Sequence, residues 1–150
     1  MTAAALDTNV LLLLLVGQST GRVVGKRLKN YTDEDFEVLT KWIGTYDQLV
    51  TTPNVWSEVS NIWSWGIDRN LRRHVARAVA ETIRKSVEII RPSIDIVGDE
   101  EFERLGLTDC VWLNVLDDTM VLLTDELPLY QVALSRGKRA QNFTHLRNFD

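Results

Sequence analysis

Ala3-Ala4-Ala5-Leu6-Asp7-Thr8-Asn9-Val10 is the stretch whose reading decides the fold. A short apolar run ends at an acid, two small polar residues follow, and a second apolar run fills residues 10–16. That order reads as a buried strand, a tight turn and the start of a helix. Asp7 then stands at the carboxyl end of a strand, the edge of an open α/β sheet where ligands bind. Two roles fit an acid there. It can cap the helix, because Asp accepts bonds from the free N–H groups of a first turn. It can also be a metal ligand or catalytic carboxylate.

The same pattern recurs far down the chain. Residues 120–123, Met-Val-Leu-Leu, make a continuous apolar run, as in a central parallel strand covered on both faces. The run ends in Thr124-Asp125. Between the two copies, residues 49–51 and 94–97 read as short strands, and residues 141–143 as an edge strand. Helical spacing marks residues 32–48, where Thr32 caps a first turn rich in acids and Phe36, Leu39, Ile43 and Tyr46 form a stripe. A long amphipathic helix is expected over 71–90, with Leu71, Val75, Val79, Ile83, Val87 and Ile90 inward and Arg–Glu and Glu–Lys pairs at i, i+4 outward. Pro128 opens a further helix that ends at Ser135. Strands alternating with helices argue an α/β fold, a parallel sheet with helices on both faces, in one domain of residues 1–150.

Two more acids sit oddly for surface residues. In the helix expected over 53–65, Val55, Trp56, Val59, Ile62 and Trp63 share one face, and Glu58 lies at its edge. A carboxylate partly withdrawn from water there needs a cationic partner, a metal or a raised pKa. Trp56, Trp63 and Trp65 read as core or subunit-interface residues. Thr108 reads as the cap of another helix, with Asp109 in its first turn. Trp112, Leu113 and Leu116 follow Asp109 at helical spacing, so this acid points inward, where the helix N-terminus favours its ionised form. Cations cluster twice: Arg22, Lys26 and Arg27 in a loosely structured stretch over 17–30, and Arg69, Arg72 and Arg73 near the start of the long helix. Solvated surface or contact with phosphates are the two readings.

Bulk composition bounds the rest. The chain has 150 residues, 45% of them hydrophobic and 25% charged, enough to bury one ordinary core. A net charge of −4 does not mark a nucleic-acid binder, but leaves room for a local basic patch or a bound metal. Cys110 is the only cysteine, so neither an intrachain disulfide nor a cysteine zinc site is possible. The apolar run over 10–16 is far short of the roughly 20 residues a membrane span needs. No Lys or Arg precedes it and Asp7 interrupts it, unlike a signal peptide. A cytoplasmic location without membrane contact is the expectation.

In such a sheet Asp7 and Asp125 share one edge, and Asp109 and Glu58 can reach it. Four carboxylates a few ångströms apart cannot all stay ionised unaided, and a divalent cation resolves the conflict. Oxygen donors without His or Cys point to Mg²⁺ or Mn²⁺. That chemistry suits phosphodiester hydrolysis.

At these residues the chain resembles the PIN-domain ribonucleases. The matching pieces are Leu6-Asp7-Thr8-Asn9-Val10-Leu11, Thr52-Pro53-Asn54-Val55-Trp56-Ser57-Glu58-Val59-Ser60-Asn61, Gly106-Leu107-Thr108-Asp109 and Leu123-Thr124-Asp125, in family order. The resemblance implies a five-stranded parallel sheet and a Mg²⁺- or Mn²⁺-dependent endoribonuclease. It implies metal-site roles for Asp7, Glu58, Asp109 and Asp125, with Asn9 and Thr124 as supporting polar residues. Arg22, Lys26, Arg27, Arg69, Arg72 and Arg73 become the residues expected to hold RNA. Many small members are VapC-like toxins, often homodimers, paired with an antitoxin protein. The competing reading is a PIN-like module that binds RNA or a protein without cutting. A haloacid-dehalogenase-type phosphatase ranks below both, because that family wants an acid two residues after the first, where Asn9 stands here.

Overall fold

The computed structural model describes residues 1–63 and 68–147; Trp65 lies outside the described residues. Five strands form one parallel sheet in the order β3-β2-β1-β4-β5. They are β1 (Ala3–Leu6), β2 (Gln48–Thr51), β3 (Val87–Glu88), β4 (Met120–Thr124) and β5 (Ala140–Asn142). All four residues of β1 are buried, as a central strand covered on both faces requires. The chain winds outward from β1 to β2 and β3, then returns to place β4 and β5 on the other side. The reversal between β1 and β4 makes the crevice at their carboxyl ends the natural ligand site. There the Asp7 N–H donates to the Leu123 carbonyl at 3.0 Å, so the residues following β1 and β4 are neighbours.

Helices flank both faces: α1 (Thr8–Thr20), α2 (Asp33–Ile43), α3 (Pro53–Trp63), α4 (Arg69–Lys85), α5 (Phe102–Leu105), α6 (Leu107–Val115), α7 (Leu127–Ser135) and α8 (Phe143–Arg147). The second apolar run of the opening stretch becomes α1. It is apolar on every side, and nine of its thirteen residues are buried. Such a helix must be covered all round, and α1 packs against β4, α2, α3 and α4. Its approach to α2 is very close. A Cβ on Gly17 would stand 2.1 Å from the Phe36 ring, so only glycine fits there. Thr32 caps α2 as expected, in a reciprocal box with Asp35.

Several boundaries differ from the sequence reading. The third strand is not 94–97. It is Val87–Glu88, which pairs with Val50 and Thr51 of β2, while Ser93–Asp95 forms a single 3₁₀ turn. The expected stripe of the long helix therefore stops early. Val75 and Val79 are buried, whereas Ile83, Val87 and Ile90 are exposed. Val87 and Ile90 continue the helical spacing by coincidence, and the pairing of this largely β-branched segment with β2 overrides that spacing. β2 itself ends at Thr51, two residues before α3, so the pairing with this edge strand is short. Among the described residues, none of the i, i+4 pairs expected on α4 closes into an ion pair. The helix of 32–48 ends at Ile43, where Gly44 follows. The one after Gly106 begins at Leu107, one residue before the cap expected at Thr108.

Candidate metal centre

Asp7 leaves β1 at the crevice and occupies the cap position of α1, yet its side chain makes no capping bond. The sheet edge holds it instead. Thr124, the last residue of β4, donates its hydroxyl to Asp7 Oδ2 at 2.9 Å. The same hydroxyl oxygen accepts the Glu126 N–H at 3.0 Å, which fixes the chain just past the strand. Asp109 arrives from the first turn of α6 and is only 9% exposed. Gly106 enables that approach: its φ of 85° and ψ of 177° lie in a region open essentially to glycine, and turn the chain from α5 into α6. One carboxylate oxygen each from Asp7, Asp109 and Glu126 lies within 4.8 Å of the others. These three acids can hold a metal ion.

The electrostatics match an uncompensated cluster. Burial, reinforced by the charge of Glu126, pushes Asp7 up to about 7. Burial, then the charges of Asp7 and Glu126, push Asp109 up to about 8. The helix N-terminus was expected to keep Asp109 ionised; desolvation and two like charges outweigh it. Glu126 is raised as well, first by desolvation and then by Asp125. Among the described residues, no Lys or Arg forms an ion pair with any of the three. Crowded carboxylates without cationic partners, offering only hard oxygen donors, fit a divalent cation.

The remaining expected residues fall around this cluster in different ways. Of the two expected supporting residues, Thr124 donates to Asp7 and the Asn9 amide lies against Asp125 at 3.5 Å. Asp125 itself is not one of the converging three. Its Oδ2 accepts from the Tyr31 hydroxyl and the Asn9 amide, and its Oδ1 is buried without a hydrogen-bond partner among the described residues. Glu58 is exposed rather than half-buried, and accepts the Thr8 hydroxyl at 2.5 Å. It lines a cavity of about 310 Å³ beside two of the three acids, Asp109 and Glu126, together with Thr8, Asn9, Arg27 and Asn61. Trp56 is buried and Trp63 half-buried.

No family model, no curated protein and no solved structure matches the chain.

Glu126 is the residue that the sequence reading missed. The strand–acid pattern ends at Asp125, whereas the Glu126 N–H bonds Thr124 and the Glu126 carboxylate lies in the cluster. The adjacent pair Asp125-Glu126 was the available signal. Of the expected cations, Arg27 reaches the acidic cavity. Lys26 and Arg27 belong to a 3₁₀ turn, Lys26–Leu28, anchored by the buried Leu28. Arg22 and Arg69 line a separate open cavity of about 710 Å³. Arg72 and Arg73 are exposed on α4.

Proposed function

We propose that this protein is a metal-dependent endoribonuclease of the PIN-domain type, with Asp7, Asp109 and Glu126 as its metal ligands and Glu58 at the cavity rim. The observation that carries the reading is the convergence of three carboxylates, unpaired with any cation among the described residues, at the sheet edge where the strand order reverses. When bound, Mg²⁺ or Mn²⁺ supplies an activated water at neutral pH and offsets charge on the phosphate. The protein's part is to hold the donors in place. Thr124 fixes Asp7, the Gly106 turn delivers Asp109, and the bond to Thr124 fixes the main chain at Glu126. Hydrolysis joins the water oxygen to phosphorus and breaks the bond to the departing ribose oxygen. The open, polar cavity admits a single strand from solvent, and cation binding lets an acidic protein accept an anionic substrate.

Single-stranded RNA incubated with Mg²⁺ is expected to be cut, and a chelator to stop the cutting. Asp7→Asn and Glu126→Gln should each lower the rate by roughly 10²–10³, the scale of losing one preorganised electrostatic group. Both should also weaken Mg²⁺ binding by calorimetry. Intact RNA with the wild-type protein, alongside measurable RNA binding, would replace this reading with that of a non-cutting module. A toxin role predicts growth arrest on expression, abolished by Asp7→Asn.

A further inference from the structure

Arg27 is oddly placed for a surface cation. It lines the cavity shared by Glu58, Asp109 and Glu126, yet among the described residues it pairs with no carboxylate. Its Nε donates instead to a neutral group, Asn9 Oδ1, at 3.0 Å. The Asn9 amide nitrogen in turn faces Asp125 Oδ2, which also accepts the Tyr31 hydroxyl. Tyr31 is itself fixed: the Arg147 guanidinium lies 4.9 Å from its ring centroid, and Phe143 packs beside it at 6.0 Å. Arg147 is anchored on Asp35 at 2.7 Å. A chain of polar contacts thus runs from α8 through Tyr31, Asp125 and Asn9 to one edge of the Arg27 guanidinium.

Among the described residues, no hydrogen bond or ion pair engages the two terminal nitrogens of Arg27. A guanidinium gripped at Nε by a neutral amide keeps its charge and its fork for a ligand with paired oxygens. Beside a cluster fit for a cation, that ligand is a phosphate. We infer that Arg27 binds a phosphate of the RNA strand next to the metal centre, and that Asn9, Asp125 and Tyr31 are positioning residues that hold it there. This rests on the ribonuclease reading for the identity of the ligand. It gives Asp125 a different part from the metal ligands: it orients the arginine. It also explains why two consecutive acids after β4 face different partners.

The test is equilibrium binding of a short labelled single-stranded RNA in Ca²⁺, over a range of salt concentrations, with the RNA checked for integrity. Each lost phosphate contact lowers the slope of log K against log salt by about 0.7 for a single strand. Arg27→Gln should lower the slope by that amount, and Arg27→Lys should restore it. Tyr31→Phe should weaken binding several-fold. The double variant Tyr31→Phe/Arg27→Gln should bind no worse than Arg27→Gln alone, because both changes remove one contact. An unchanged slope in Arg27→Gln overturns the inference and leaves Arg27 as a counter-charge for the acids. Full additivity in the double variant overturns the positioning chain, and absence of RNA binding by the wild type overturns both. If the slope falls as expected but Mg²⁺ produces no cutting, the phosphate contact stands and the nuclease reading fails.

Discussion

Asp7 and Asp109 carry their consequences in their protonation. Both are held well above the ordinary carboxyl value of 3.8, to about 7 and about 8, chiefly by burial. Between those limits the folded protein keeps protons that the unfolded chain has released. Unfolding free energy therefore falls as pH rises through that window. Asp99 acts in the opposite sense. Hydrogen bonds from Arg136 at 2.7 Å hold it well below the usual range, so its stabilisation is present above 3.8 and is lost as pH falls further. In chelator, the melting temperature should peak at mildly acid pH and decline toward pH values near 8. Asp7→Asn should flatten the decline and melt higher than wild type at the alkaline end. Equal slopes for the two proteins between about pH 4 and 7 would show that Asp7 does not titrate as its burial demands. The sequence disclosed Asp7 and Asp109 because each ends or begins an apolar segment that cannot turn its acid to water. It did not disclose the choice between Asp125 and Glu126. The Thr124 hydroxyl bonds both Asp7, 117 residues away in the chain, and the Glu126 N–H two residues on, a juxtaposition that only the assembled sheet creates.

Among the elements, α1 shows how far periodicity reaches and where it stops. Its run of leucines declared burial on all sides, and α1 is covered by β4, α2, α3 and α4. What spacing could not declare is how near α2 comes, because that depends on two residues distant in sequence, Gly17 and Phe36. Alanine at position 17 would place its Cβ inside the Phe36 ring, 2.1 Å from Cδ2. The contact involves the body of a ring rather than a flexible tip, so relief requires α1 and α2 to separate. Gly17→Ala should cost about 1–3 kcal/mol, the usual range for overpacking. Adding Phe36→Leu should recover part of it. Denaturant unfolding of the two variants measures this directly; a neutral Gly17→Ala would mean that the helices do not meet there. The misplaced third strand has a related cause. Residues 87–90 and 94–97 are both short and β-branched or apolar, and local pattern cannot say which will find the free edge of β2. Pairing decided it, with the Ile89 N–H donating to the Thr51 carbonyl at 2.9 Å.

On the scale of the whole molecule, the candidate centre joins segments that share no local structure. Asp7 follows β1, Asp109 opens α6 and Glu126 precedes α7, so the three oxygens meet only when the sheet has assembled. The unfolded chain offers no such cluster. A cation that binds the cluster therefore binds the folded state alone, and its binding free energy adds to folding. Metal-free, the same acids repel one another and lose hydration, which destabilises the fold; a cation reverses the sign of that contribution. At a Mg²⁺ or Mn²⁺ concentration a hundredfold above Kd, the gain is about 2.7 kcal/mol. For a chain of 150 residues that corresponds to a rise of roughly 5–10 °C in melting temperature. Asp109→Asn should remove most of the rise while leaving the metal-free protein as stable as wild type or more so, since it replaces a buried ionisable group with a neutral one. The rise should also grow with pH, because protons and the cation compete for Asp7 and Asp109. A metal-induced shift of equal size in wild type and Asp109→Asn would place the cation elsewhere on the molecule.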